Sequence, residues 1–173
     1  MTLIKILFLG MVLQTQTGVY LLRVPAIDGS TIDFSAFHGK KILIINTAVN
    51  SDRVLQYGEL EQLYQKYKDS LVIIACPSST FTGETYSNED INEFIINGYN
   101  THYLITSKLS VDGVEISPLY QWLSDKSQNG ALDSKVKNDF QKYLIDGNGN
   151  LIGVFDMSVS SVSKELEDAI LAN

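Results

Sequence analysis

The chain has 173 residues, the length of one domain, and it is hydrophobic at 45% and charged at 19% of positions, an ordinary composition for a folded protein. Its formal net charge is −7, from 20 acidic and 13 basic residues, and the basic residues form no cluster of the kind that binds nucleic acid. Composition therefore argues against a disordered chain and against a nucleic-acid partner.

The first 17 residues have the layout of a signal peptide. Lys5 precedes an apolar run over residues 6–13, and the polar residues 15–17 separate this run from Gly18. The layout predicts export, periplasmic or secreted, of a domain comprising residues 18–173; otherwise we expect a cytoplasmic protein. A native N-terminal strand is the alternative interpretation. The run is too short to span a membrane, which takes about 20 apolar residues.

The first half of the domain predicts a hairpin followed by a β-α-β unit. Residues 19–24 and 31–34 are β-rich pieces on either side of a turn at Asp28 and Gly29,. Residues 42–45 and 71–75 are continuous apolar runs, typical of strands buried on both faces,. Apolar residues recur at helical spacing over residues 52–67 between these runs, which predicts the helix that joins two parallel strands.

The second half predicts two further helices, an antiparallel strand pair and a final helix. Ser87 and Asp90 have the spacing of a capping box, Gly98 fits the end of that helix, and Pro118 fits the start of the next,. Residues 143–146 and 151–155 flank a glycine-rich turn, and residues 162–171 are amphipathic,. The fold class is therefore α/β, with a central mixed sheet flanked by helices and an N-terminal hairpin.

This order of elements resembles the thioredoxin arrangement. Several blocks of residues carry a closer resemblance: residues 26–29, 44–48, 56–57, 88–91, 111–113, 118–123 and 140–146. Through these blocks the chain resembles the glutathione peroxidase family over residues 19–172. The resemblance implies a thioredoxin-like fold and a site for hydroperoxide reduction at the start of the first long helix.

The residues that carry the family's chemistry are replaced at the matching positions. The resemblance puts Ser51 at the position of the reactive cysteine or selenocysteine, Thr80 at that of a glutamine, Asn138 at that of a tryptophan and Asp139 at that of an asparagine. A serine hydroxyl does not ionise at neutral pH, and it cannot pass through the sulfenic-acid stage of a thiol peroxidase. We therefore expect a catalytically inactive member with a binding or structural role.

The segment around Ser51 also has a simpler interpretation, as a helix start. Asn50, Ser51 or Asp52 would each cap a helix, and the Asp52 carboxylate would complement the positive end of its dipole,. A cation held by Ser51, Asp52 and Asp139 is conceivable, but two carboxylates are few for a hard ion. We expect no metal and no cofactor.

Cys76 is the only cysteine, so the chain can form no internal disulfide and has no paired redox thiols,. It ends an apolar run, which favours a buried and inert thiol. The alternative function is a weak thiol peroxidase that uses Cys76 in place of the missing nucleophile.

Partners are less well determined by the sequence. The ligand of an inactive family member would be an unknown small molecule or protein. The segment between Leu123 and Val136 is shorter than the insertion through which tetrameric members of the family assemble, so we expect a monomer or weak dimer.

Overall fold

The computed structural model describes residues 18–81 and 85–172. The predicted signal peptide, residues 1–17, lies outside the described residues. Two short 3₁₀ helices, Val19–Leu21 and Phe34–Phe37, flank the N-terminal hairpin. The strands are β1 (Arg23–Pro25), β2 (Thr31–Asp33), β3 (Lys41–Thr47), β4 (Leu71–Pro77), β5 (Leu104–Ile105), β6 (Lys142–Ile145) and β7 (Leu151–Phe155). The helices are α1 (Gln56–Tyr67), α2 (Asn88–Tyr99), α3 (Pro118–Ser124), α4 (Lys126–Asn129) and α5 (Lys164–Leu171).

Five strands form one mixed sheet in the order β5-β4-β3-β6-β7. Strand β4 is parallel to β3 and to β5, whereas β6 is antiparallel to both β3 and β7. The central position of β3 and the β3-α1-β4 unit confirm the predictions from the two apolar runs. The separate antiparallel pair of β1 and β2 confirms the N-terminal hairpin. The first predicted β piece, residues 19–24, is wrong over its first half, where Val19–Leu21 forms a 3₁₀ helix.

The sheet is covered on both faces, which is why its central strands are apolar throughout. One face packs against the hairpin and α3; its side chains include Ile42, Ile44, Ile74, Cys76 and Tyr143. The other face packs against α1, α2 and α5; its side chains include Leu43, Ile45, Ile73, Ala75 and Leu144. Alternate residues of β3 therefore enter different cores, as the period of two in a strand requires.

Several element boundaries differ from the sequence predictions. Helix α1 begins at Gln56 rather than near residue 52, and α2 continues past Gly98 to Tyr99. It ends at Asn100, which adopts the left-handed conformation with φ of +50°. The two-residue strand β5 and the single-turn helix α4 were not predicted, because neither is long enough to show a periodicity. No helix within residues 18–81 and 85–172 has the length and hydropathy needed to cross a membrane.

Candidate functional site

The candidate site begins where β3 ends. Residues 48–55 connect β3 to α1 through successive tight turns rather than through a regular helix. The Ser51 amide donates to the Ala48 carbonyl at 3.3 Å, and the Val54 amide donates to the Ser51 carbonyl at 3.2 Å. Ser51 therefore lies within these turns, before the first residue of α1.

Ser51 is buried, with 6% of its surface exposed. Its Oγ accepts a hydrogen bond from the Arg53 amide at 3.2 Å, so the hydroxyl caps a turn and not a helix. The residue that precedes α1 is Leu55, which supplies no capping side chain. The expectation that residue 50, 51 or 52 caps the long helix is therefore wrong, because the turns after β3 delay the start of α1.

Thr80 lies in the turn that follows β4, and it is exposed. Its Oγ1 accepts a hydrogen bond from Ser78 Oγ at 2.9 Å, and its amide donates to the same Ser78 oxygen at 3.2 Å. The Thr80 hydroxyl thus has a local partner within its own turn. Since β3 and β4 are parallel, Ser51 and Thr80 follow strand ends at the same edge of the sheet.

Asn138 and Asp139 lie in the loop that leads into β6, and Asn46 of β3 ties this loop to the sheet. The Asn46 side chain donates to the Asn138 carbonyl at 2.9 Å, and the Phe140 amide donates to the Asn46 carbonyl at 2.7 Å. Asp139 is buried at 5% exposure. The four predicted site residues are therefore gathered at one end of the sheet by strand order and by Asn46.

Cys76 does not belong to this group. It is fully buried in β4, on the face that packs against α3. Burial raises the pKa of its thiol to about 12, although hydrogen bonds with Tyr120 and Thr106 act in the opposite direction. The predicted burial of this cysteine is confirmed, and its thiol is protonated at neutral pH.

A buried lysine beneath the site was not recognised as a site residue from the sequence. Lys142 has no exposed surface, and its Nζ donates to the carbonyls of Phe140 at 2.9 Å and Val159 at 2.7 Å. Burial lowers the pKa of its ammonium group to about 8, and the Arg53 charge acts in the same direction; Glu59 and Asp156 act against them. A lysine directly before a predicted apolar strand was the available sequence signal.

The connection between β7 and α5 is held against α1 by a polar network. Gln56 donates from Nε2 to the Met157 carbonyl at 3.2 Å and accepts from Ser161 Oγ at 3.2 Å. Glu59 Oε2 accepts from Ser160 Oγ at 2.8 Å and from the Ser161 amide at 2.9 Å. This network fixes the first turn of α1, and with it the end of the segment that carries Ser51.

A groove of about 400 Å³ opens beside the site, between the segment after β3 and the start of α2. It is lined by Val49, Asn50, Tyr86, Asp90, Glu93 and Phe94. Within the described parts of the chain, no three His, Cys, Asp or Glu side chains lie close enough together to hold a metal ion. The lining of the groove brings two carboxylates and two aromatic rings together.

Comparison with known sequences gives one family. The sequence model described as glutathione peroxidase matches residues 19–124. The chain is 35% identical over 145 residues to the glutathione peroxidase of Lactococcus lactis subsp. cremoris, covering 83% of this chain and 90% of that protein.

Solved structures agree on the fold. The crystal structure of Trgpx in apo form is 26% identical, with a TM-score of 0.69 over 90% of this chain and 94% of that one. A thioredoxin family thiol:disulfide interchange protein from Chlorobium tepidum TLS is 12% identical, with a TM-score of 0.63 over 86% and 90%. At that identity the second likeness concerns the fold alone, and it confirms the predicted thioredoxin-like architecture.

Proposed function

Because the chain belongs to the glutathione peroxidase family, we propose that it is a member without peroxidase activity, whose domain serves a binding or structural role. The observation that carries the proposal is the burial of Cys76, the only thiol in the chain. A thiol with its pKa raised to about 12 by burial has almost no thiolate at neutral pH, and the thiolate is the form that attacks a peroxide.

The surroundings of Ser51 support the same proposal. Its hydroxyl accepts a hydrogen bond from the Arg53 amide, and a neutral hydroxyl has no oxidised state comparable to a sulfenic acid. A peroxide bound there would meet a hydroxyl in place of a thiolate, and a hydroxyl cannot take up its oxygen. Loss of the thiol from this position therefore removes both the nucleophile and the redox cycle.

The buried corner next to the site is nevertheless well held. Asn46 fixes residues 138 and 140, and Lys142 holds the Phe140 carbonyl. Phe140 is a non-glycine residue with φ of +60°, a conformation that persists only where the surrounding contacts stabilise it. A corner held in this strained conformation by several hydrogen bonds fits a domain that keeps a binding or structural role.

The test is peroxide consumption by the purified protein. Hydrogen peroxide and a lipid hydroperoxide are offered with glutathione or with a thioredoxin system, and the Lactococcus lactis glutathione peroxidase serves as the positive control. We expect no enzymatic turnover. Turnover above the uncatalysed rate would overturn the proposal, whichever reductant supported it.

Two variants identify the residue responsible if turnover is found. Activity that persists in Ser51→Ala and disappears in Cys76→Ala would support the alternative, a weak thiol peroxidase through Cys76. Mass spectrometry after treatment at low peroxide gives an independent measurement, since a peroxidatic Cys76 would form a sulfenic acid quickly and selectively.

We also propose that residues 1–17 direct export, on the strength of Lys5 and the apolar run that follows it,. Expression in a host with a secretory pathway, followed by intact-mass measurement, tests this. The expected product is found outside the cytoplasm and begins at or near Gly18. A cytoplasmic product that retains the N-terminal segment would contradict it.

A further inference from the structure

The groove beside Ser51 combines two carboxylates with two aromatic rings. Asp90 and Glu93 are three residues apart in α2, so their side chains share one face of the helix. Tyr86 and Phe94 are 47% and 42% exposed. Val49 and Asn50 complete the lining from the segment after β3.

The carboxylates of the groove, Asp90 and Glu93, form no ion pair in the part of the chain that the structure describes. Asp90 accepts through Oδ2 from Ser87, in the capping box of α2. The ammonium group of Lys108 contacts the backbone of the lining, where its Nζ donates to the Tyr86 carbonyl at 2.7 Å. The groove therefore offers negative charge to a ligand.

This lining selects a cation with an apolar stem. A carboxylate attracts an ammonium or guanidinium group, and an exposed aromatic ring attracts the same group through its negative face. Lysine and arginine side chains also carry methylene stems that pack against apolar surface, which Val49 and Phe94 supply here. An anionic ligand would be repelled by Asp90 and Glu93.

We propose that this groove binds a lysine or arginine side chain presented by a partner polypeptide. The proposal rests on the proposed function, since it assigns the ligand of a site that no longer reduces peroxide. A polypeptide is the better occupant than a free amine, because it would also cover Tyr86 and Phe94. Burial of half-exposed aromatic rings is a main source of affinity at protein interfaces.

The experiment is an NMR titration of the ¹⁵N-labelled protein. The probe is a short synthetic peptide in which two lysines flank a leucine, and the control peptide carries acetyl-lysine at both positions. We expect saturable shifts at the amides of Glu93 and Phe94 with the lysine peptide and much weaker binding of the acetylated one. Binding should also weaken as sodium chloride is added, because exposed charges are screened.

Two variants of α2 provide a matched comparison. Glu93→Gln removes a charge from the groove, whereas Glu89→Gln removes one from the same helix outside the lining. We expect Glu93→Gln to weaken binding by about two- to fivefold, the range of one exposed ion pair, and Glu89→Gln to leave it unchanged. The dispersion of each NMR spectrum shows whether the variant is folded. The salt titration of the unmodified protein tests the charge dependence of binding even if a variant does not fold.

The assignment would be overturned by no saturable binding, by equal binding of the acetylated peptide, or by equal weakening in both variants. Displacement of the peptide by spermidine at equal or lower concentration would also overturn it, since the ligand would then be a free amine. Peroxide turnover by the same preparation concerns the proposed function instead. Failure of the peptide to bind, with no turnover, would reject the groove assignment alone.

Discussion

Lys142 donates a hydrogen bond of 2.9 Å to the carbonyl of Phe140, the residue that turns the chain into β6. Phe140 has φ of +60° and is fully buried. A second bond from the same ammonium group, at 2.7 Å to Val159, joins the loop before α5 to this corner. One buried lysine thus connects the corner beside the candidate site to a distant part of the chain.

Replacing this lysine tests how much the corner depends on it. Lys142→Met keeps most of the side-chain volume but leaves the carbonyls of Phe140 and Val159 without this donor, while it also removes a buried charge. Because each orphaned carbonyl costs about 1–3 kcal/mol and the loss of the charge offsets part of that, we expect the free energy of unfolding to fall by about 2 kcal/mol at pH 7. Urea denaturation measures the change.

Lys164→Met is the matched control. Lys164 lies at the start of α5, where its side chain is 83% exposed and pairs with Asp168 at 2.6 Å. An exposed ion pair contributes little, so we expect a change within about 0.5 kcal/mol. If the free energy of unfolding fell equally in Lys142→Met and Lys164→Met, the two carbonyl contacts of Lys142 would not be the cause.

The effect of Lys142 should also depend on pH. Burial lowers the pKa of its ammonium group from 10.5 to about 8 in the folded protein, so the unfolded state holds more protons between those values. Stability contributed by this group therefore rises with pH from 8 to 10.5, by at most about 1.4 kcal/mol per pH unit. Below pH 8 both states are protonated, and the penalty for burying the charge is present in full.

The measurement is the difference in unfolding free energy between the wild type and Lys142→Met across this range. Cys76 and Tyr103 have pKa values raised by burial, so their contribution to stability falls as pH rises,. This contribution is common to both proteins and cancels in the difference. We expect the advantage of the wild type to grow as pH rises. A difference that stayed constant, or shrank, would show that the lysine is not desolvated.

The fold was predictable where local sequence and tertiary structure agree. The apolar runs of β3 and β4 indicated strands buried on both faces, and Ser87 with Asp90 forms the predicted capping box at α2. The end of α2 was predicted too early because glycine is the residue that most often follows the last turn of a helix, and Gly98 suggested that position. Asparagine also tolerates the left-handed conformation, so Asn100 ends the helix instead.

The site was predictable only in part, since the resemblance to a family supplied its positions but not its contacts. Nothing in the sequence shows that Lys142 reaches Val159, or that Asn46 holds residues 138 and 140. The groove likewise requires α2 to lie beside the segment after β3. These are contacts between distant parts of the chain, and no periodicity encodes them.

The reactivity of Cys76 gives a further prediction. With its pKa raised to about 12 by burial, and with no exposed surface, the thiol should react with a disulfide reagent at pH 8 at least about 100-fold more slowly than in the urea-unfolded chain. Spectrophotometric labelling in the two states measures the ratio. Comparable rates would mean that the thiol is accessible, and they would favour the alternative of a Cys76 peroxidase.

Restoring the thiol at the family position should not restore the enzyme. In Ser51→Cys, combined with Cys76→Ala so that one thiol remains, the new thiol precedes Asp52 in the sequence. It lies at the same end of the sheet as the buried Asp139. Like charges and burial both disfavour a thiolate, and the Thr80 hydroxyl already contacts Ser78. We expect a thiol pKa at or above about 8.5 and peroxide turnover close to background, measured by thiolate absorbance and the coupled assay.

A second variant separates the thiol from its surroundings. Adding Asp139→Asn to Ser51→Cys and Cys76→Ala replaces a buried acceptor by a group that can donate, so the thiol pKa should fall relative to the first variant. Glu89→Gln in the same background is the control for net charge, because it removes a carboxylate from α2 outside the groove. Ser51→Cys without Asp139→Asn could instead give a thiol pKa well below about 8.5 and rapid turnover. The hydrogen-bond donors of the segment after β3 would then lower the thiol pKa by more than the carboxylates raise it. Replacement of the thiol alone would in that case account for any loss of activity.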